Sequence, residues 1–170
     1  MEDVEFHLPE SNGGLTEEEI QELEAELELR IPADYRFFLL TQGGNLELID
    51  FPFFELAYLL SLDEIEEARK RELGGKSYSP AELKTFEIRP RMMMQHPRLL
   101  RVAGYDRGFG LDLITGEVWA YWGGDLSIDG LVASSWLDFL RRLNFELEQG
   151  AGLQDTYGER TFALPRMETQ

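Results

Sequence analysis

Apolar residues at helical spacing mark the first third of the chain. Ile20, Leu23 and Leu27 recur at intervals of three and four, which puts one apolar stripe on a helix over about residues 16–29. Thr16 with Glu19 fits a capping box at its start, where hydroxyl and carboxylate each accept an otherwise unpaired backbone N–H. Glu18 and Glu22 point away from the stripe, and Leu29 falls off it. Pro32 opens a second helix, because proline is tolerated where the N–H would have no helical partner. Asp34 suits the positive end of that helix dipole. Tyr35, Phe38 and Leu39 form its face, and Gly43-Gly44 allow the left-handed turn that ends it. The short link from Leu29 to Ala33 implies a helical hairpin or a sharp corner.

The period then changes. Residues 46–60 read as strand-like, with Leu46 and Leu48 alternating and Pro52 forcing a break. Ser61 with Glu64 makes a second capping box, for a helix that runs to Leu73 and ends at Gly74. Ser79, Pro80 and Glu82 make a third, for a helix kept short because Pro90 disfavours helix at Arg89. Met92–Met94 read as adaptable groups that fill gaps in the core. Leu99–Ala103 is a strand, and FGLDLITGEVWAYW reads as a hairpin turning at Thr115-Gly116. In that register Leu113 faces Val118 and Leu111 faces Ala120, while Asp112, Trp119, Gly110 and Tyr121 share the other side. A last helix starts near Ser134 or Ser135, with Asp138 in the capping-box place and Trp136, Phe139, Leu140, Leu143 and Leu147 as its stripe. The order predicts an α+β single domain, an antiparallel sheet with helices packed on one face. Its expected span is 15–149, between an acidic leader (1–14) and a C-terminal tail (150–170) with a strand at Thr161–Leu164.

Composition and charge narrow the function. A chain of 170 residues that is 43% hydrophobic can bury a core of its own. The absence of cysteine excludes disulfides, thiolate metal sites and cysteine nucleophiles. The opening MEDVEFHLPE is acidic where a secretory signal would be basic and then apolar. Asp50, Glu55 and Asp63 interrupt the longest apolar runs well short of the roughly 18 residues a membrane span needs. The expectation is a cytoplasmic protein with no membrane contact. Net charge is −17 and unevenly spread: residues 1–29 carry eleven acids and no Lys or Arg, whereas 69–107 carry ten basic groups against four acids. Such a surface repels nucleic acid and steers basic partners, although solubility alone also explains it. The acidic end binding the basic middle of the same chain is a third reading.

Three stretches in order carry a resemblance. LRIPADYRFFLLTQGG after an acidic amphipathic helix resembles the opening of the SUKH (Smi/Knr-like) superfamily, which includes a yeast cell-wall regulator and many bacterial toxin immunity proteins. The family pattern falls on Ile31, Pro32, Asp34, Tyr35, Gln42, Gly43 and Gly44. RVAGYDRGFGLDLITGEVWAYW resembles its glycine-containing strand and L-D-x-x-x-G-x-V meander, and LVASSWLDFLRRL resembles its closing helix. The match spans about residues 15–147. Residues 74–97 depart from the family as a longer, more basic insertion, and the tail has no counterpart. The resemblance implies a non-catalytic protein-binding domain of the immunity type. It would neutralise a toxin by stoichiometric occlusion, and the acidic surface points to a basic toxin such as a nuclease. The alternative it implies is an intracellular regulatory or scaffolding module with host protein partners.

The chemical inventory fits binding better than catalysis. His7 and His96 are far apart with no metal-ligand spacing, GYDRGFG has the wrong glycine spacing for a nucleotide fingerprint, and no G-x-S-x-G elbow exists. No cofactor and no metal are expected. A hydrolase would need a deep pocket holding a strongly perturbed carboxylate pair. The candidate partner-binding residues are Trp119 and Tyr121 as an aromatic anchor if their face is open, Asp112 and Asp125 as charges beside it, and Glu18 and Glu22 as a docking face for a basic partner. Gly43, Gly44 and Asn45 could instead cup an anion with their backbone N–H groups.

Overall fold

The computed structural model describes residues 14–42, 58–59, 61–104, 107–122 and 124–148. The leader, the strand-like stretch at 46–57, the Gly43-Gly44-Asn45 turn and the C-terminal tail lie outside the described residues, as do the side chains of Leu143 and Leu147. Within them the order is α1 (Glu17–Leu27), α2 (Ala33–Gln42), β1 (Tyr58–Leu59), α3 (Leu62–Leu73), α4 (Pro80–Leu83), β2 (Leu99–Gly104), β3 (Arg107–Asp112), β4 (Val118–Trp122), β5 (Ile128–Ala133) and α5 (Trp136–Glu148). The five strands form one antiparallel sheet in sequential order. The α+β architecture expected from the residue pattern is the one observed.

Local chemistry sets the helix starts. Complete capping boxes begin α1, α3 and α4 at Thr16, Ser61 and Ser79, with Glu19, Glu64 and Glu82 closing them. At α5 the Ser135 hydroxyl accepts the Asp138 N–H at 3.0 Å, and the Asp138 carboxylate accepts from Ser134. The α1 stripe is buried as expected. Leu29 falls off the helical stripe because α1 has already ended: Glu28 takes a left-handed conformation, φ 54°, and the turn delivers Leu29 into the core.

Asp34 does more than face a helix dipole. One carboxylate oxygen accepts the Tyr35 N–H, and the other accepts the Leu137 N–H at 2.9 Å, in the first turn of α5. The same corner stacks aromatic rings: Tyr35 meets Trp136 edge-on at 4.8 Å between centroids and Phe38 meets it at 5.3 Å. Trp136 is fully buried. The stretch opened by Pro32 is therefore scaffold, joining the first and last helical regions.

The sheet separates two apolar clusters. On one face Leu100, Val102, Phe109, Leu111, Val118 and Val132 pack against the buried stripes of α1, α2 and α5. The opposite face carries Leu99, Trp119, Tyr121 and Ile128; among the described residues it is Met94 and its neighbours from an irregular segment, rather than a helix, that pack on it. Gly108 and Gly110 make room beneath that cover. A Cβ on Gly108 would lie 2.0 Å from the Tyr121 ring, and one on Gly110 would lie 2.3 Å from the Met94 Cε.

Two sequence expectations need correction here. The β3–β4 hairpin pairs Leu111 with Val118 and Phe109 with Ala120, two residues away from the expected register. The turn is longer than Thr115-Gly116 alone: the Asp112 N–H reaches the Glu117 carbonyl, the Gly116 N–H reaches the Asp112 carbonyl, and Leu113 lies in the loop. Because strand side chains alternate with a period of two, this even shift left every residue on its expected face. Within the run Met92–Met94, Met94 is fully buried as a gap-filling core residue, but Met93 is 49% exposed.

Candidate interaction surface

The helix α1 buries Ile20, Leu23 and Leu27 and turns its acids outward, so Glu17, Glu18, Glu19, Glu22, Glu26 and Glu28 are all exposed. At its N-terminus the first three are favoured by the helix dipole. At its C-terminus no basic residue offsets the negative pole. Arg36 on α2 ties Glu17 and, at 3.6 Å, Glu24. Of the basic middle of the chain, Lys70 on α3 reaches this helix, 3.6 Å from Glu26 in an exposed pair. An exposed pair of that kind contributes under about 1 kcal/mol.

Further acids from α3 join this ridge. Glu66 is pushed above the ordinary carboxylate range by partial burial and then by the charges of Glu26, Asp63 and Glu22, with Lys70 acting the other way. Like charges from two helices thus stand within one another's field. Toward the C-terminal ends of α1 and α3 the ridge opens into a cavity of about 280 Å³, lined by Glu26, Leu27, Glu66, Arg69, Lys70 and Lys76. Arg69 donates to the Pro97 carbonyl at 3.1 Å, which fixes the cavity wall to the irregular segment.

Of the residues singled out in the sequence, Glu18 and Glu22 lie exposed on this ridge, and Asp125 is exposed in the β4–β5 turn. The other three lie elsewhere than an open binding face. Asp112 is fully buried. It accepts from Arg98, from the Ile114 N–H at 2.9 Å and from the Thr115 hydroxyl at 2.8 Å, so it organises its own hairpin turn. Trp119 is 8% exposed and Tyr121 is 1% exposed. The Tyr121 hydroxyl donates to the Ala103 carbonyl at 2.6 Å, and Arg101 stacks on its ring at 5.2 Å. The aromatic face is closed.

What closes it is the segment 86–98, most of which falls in the basic insertion expected at 74–97, and its Met94 fills the core as the sequence suggests. Its backbone joins β5: Arg91 and Met94 donate to the Ile128 and Leu126 carbonyls, both at 2.7 Å. Its far end is clamped by Arg98, which pairs with Asp112 and donates to the Phe86 carbonyl at 2.9 Å. His96 is 5% exposed. Its Nδ1 accepts the Arg98 N–H at 3.2 Å, and its Nε2 lies 3.0 Å from the Glu87 carbonyl, an arrangement of the neutral ring. Burial, then the nearby Arg98 charge, hold His96 below the usual imidazole range, against the Glu87 carbonyl and Asp112.

A surface aromatic that sequence reasoning missed is Trp122, 44% exposed at the end of β4. Strict alternation places it with Val118 and Ala120, facing the helices. The signal that could have found it is its position: last in its strand and followed by Gly123-Gly124, where the helix layer need not extend. Among the described residues no group of three or more His, Cys, Asp or Glu stands where it could hold a metal ion. None of the described helices is long and apolar enough to cross a membrane.

A five-stranded antiparallel meander backed on one face by helices, with an acidic ridge along α1 and α3, defines an α+β domain of one sheet and one helical layer. The model of the SMI1/KNR4 family (SUKH-1) matches residues 14–142. The chain belongs to that family. No curated protein matches it in sequence.

Proposed function

We propose that this protein is a non-catalytic, immunity-type binder that occludes a basic toxin domain in the cytoplasm, one partner to one. The observation that carries the reading is the ridge on which the exposed Glu18, Glu22 and Glu26 of α1 stand with the exposed Asp63 and half-buried Glu66 of α3. Carboxylates crowded together cost stability in the isolated protein, and a cationic surface relieves that cost on docking. The ridge matches a nuclease-like face, because Lys and Arg that otherwise hold phosphate would meet carboxylates instead. Family membership supports the same reading. His96 and Asp112, both buried and titratable, are committed to holding the fold through Arg98.

The test uses a toxin domain encoded beside this gene, co-expressed with the full chain. A one-to-one complex on gel filtration, together with restored growth, is the expected result. The association rate should fall as salt rises from about 50 to 500 mM, since the attraction is screened over that range. Reversing two ridge charges, Glu22→Lys with Glu26→Lys, should slow association further while leaving the fold intact. Loss of growth rescue without loss of folding places the ridge at the interface. Neither complex nor rescue with any neighbouring toxin would overturn the immunity reading in favour of a regulatory module with host partners.

A further inference from the structure

Beside the acidic ridge, the cavity of about 280 Å³ carries both signs of charge on its walls, Arg69, Lys70 and Lys76 against Glu26 and Glu66. Glu66 and Arg69 stand three residues apart on α3, near enough to pair, with about 5–6 Å between Cβ atoms. They do not. Among the described residues the Glu66 carboxylate accepts no hydrogen bond and forms no ion pair. Lys70, the cation in its field, pairs with Glu26 at 3.6 Å instead. Arg69 is half-buried, and the group it holds is a neutral one, the Pro97 carbonyl. Glu72, whose charge favours Arg69, pairs with Arg101.

Charges taken out of water are normally paired, because the loss of hydration must be offset by an opposite charge. Here burial is the largest influence on both groups. It raises Glu66 above the ordinary carboxylate range and holds Arg69 below the ordinary guanidinium range. One cavity therefore presents an unpaired carboxylate and an unpaired guanidinium. A purely cationic ligand would meet three basic groups there. A purely anionic one would meet two carboxylates on a chain of net charge −17. A ligand that carries both charges satisfies both walls. It must also be small, since the cavity lies just below the roughly 300–1,000 Å³ of ordinary small-molecule sites.

We infer that this cavity binds a small zwitterion, a free α-amino acid, with its carboxylate on Arg69 and its ammonium group on Glu66. The planar guanidinium holds a carboxylate through two parallel N–H donors. The ammonium group is favoured further by the negative pole of α1, which no basic residue of its last turn offsets. Leu27 gives the aliphatic part of the ligand an apolar wall. The inference does not require a toxin partner, and its failure would leave the immunity reading untouched.

The test follows the backbone amides of Gly75 and Ser77, which line the cavity, in the full-length nitrogen-15-labelled protein. L-Alanine, L-leucine and L-glutamine are added singly. The best binder is then compared with its N-acetyl form, which keeps only the carboxylate, and its amide, which keeps only the ammonium group. The free amino acid should move these amides saturably. Each single-charge analogue should bind at least ~10-fold more weakly, the size of one lost charge-assisted contact. Glu66→Gln should reduce the affinity for the free amino acid to that of the N-acetyl form, and Arg69→Gln to that of the amide. Glu67→Gln, the same change at an exposed position outside the cavity lining, should leave the affinity unchanged. If none of the three amino acids moves the cavity amides, the site is overturned. It is overturned equally if either analogue binds as well as the free amino acid. Undiminished affinity in Glu66→Gln, with the buried Trp119 and Trp136 indole resonances in place to show an intact fold, would also overturn it.

Discussion

The two faces of the sheet are closed in different ways. On the helix side, contact is apolar: Trp136, Phe139 and Phe38 lie over Phe109, Val118 and Val132, and the helices form through their own caps and stripes. On the other side an irregular segment is fastened by polar groups at its ends and by strand-like hydrogen bonds at its middle. Apolar packing is non-directional and carries no proton or charge for a change of pH to remove. Polar clamps are directional, and each depends on every member keeping its charge or proton. One face therefore carries the fold and the other carries its sensitivity to conditions.

The comparison is broken most strongly at Trp136. Its ring touches Tyr35, Phe38 and Phe139, and Trp136→Ala should cost about 4 kcal/mol through lost burial and a cavity. Urea denaturation should show the loss as a shift of the whole transition, because all the elements share this cluster. On the opposite face, Asp112→Ala leaves the Arg98 guanidinium, 14% exposed, without its carboxylate, at a cost of about 3 kcal/mol. Here the loss should be partly local. Hydrogen exchange should rise first at Met94 and Ile128, whose N–H groups bond across the cover, before α1 or α5 responds. Uniform acceleration across both faces would show that the cover is not a separate unit.

These differences track what the sequence made legible. Helix starts were readable because a capping box is a contact between residues three apart, and the boxes at Thr16, Ser61 and Ser79 all form. Faces were readable because alternation survives an even register error, so Trp119 and Tyr121 were correctly placed opposite Val118 although Leu113 was misplaced. The register itself was not, because the Asp112 side chain builds a longer turn than Thr115-Gly116 suggests. What lies over a face is a long-range fact. The segment 86–98 has no period of its own, and its place depends on Arg98 meeting a carboxylate 14 residues away. The Asp34 link to Leu137 spans 103 residues and was invisible for the same reason. At the candidate surface, the acidic ridge was legible from the outward positions Glu18 and Glu22. The exposure of Trp122 was not, since a strand's last residue is covered or open according to where the helix layer stops.

The mildest way to sharpen the contrast is acid. His96 is neutral in the fold, with Nδ1 accepting from Arg98 and Nε2 donating to Glu87. Burial first, and then the charge of Arg98, disfavour the protonated ring, so the folded-state pKa lies below the ordinary value of 6.5. Above about pH 6.5 the ring is neutral in both folded and unfolded chains and takes nothing from stability. As pH falls from there through the folded-state value, the unfolded chain binds the proton more readily and stability is lost. Glu66 and Glu72 act with the opposite sign: both are raised, by burial first, so their protonation relieves a cost of folding as pH falls. The His96 contribution is isolated by comparing the wild type with His96→Gln, which keeps a donor and an acceptor but does not titrate. Between about pH 7.5 and 5.5, urea midpoints should fall further for the wild type than for the variant. The added loss should appear at the cover, as faster exchange near Met94, while the Tyr35–Trp136 corner stays protected. Parallel pH dependence in the two proteins would mean that the imidazole is not a pH-sensitive part of this clamp.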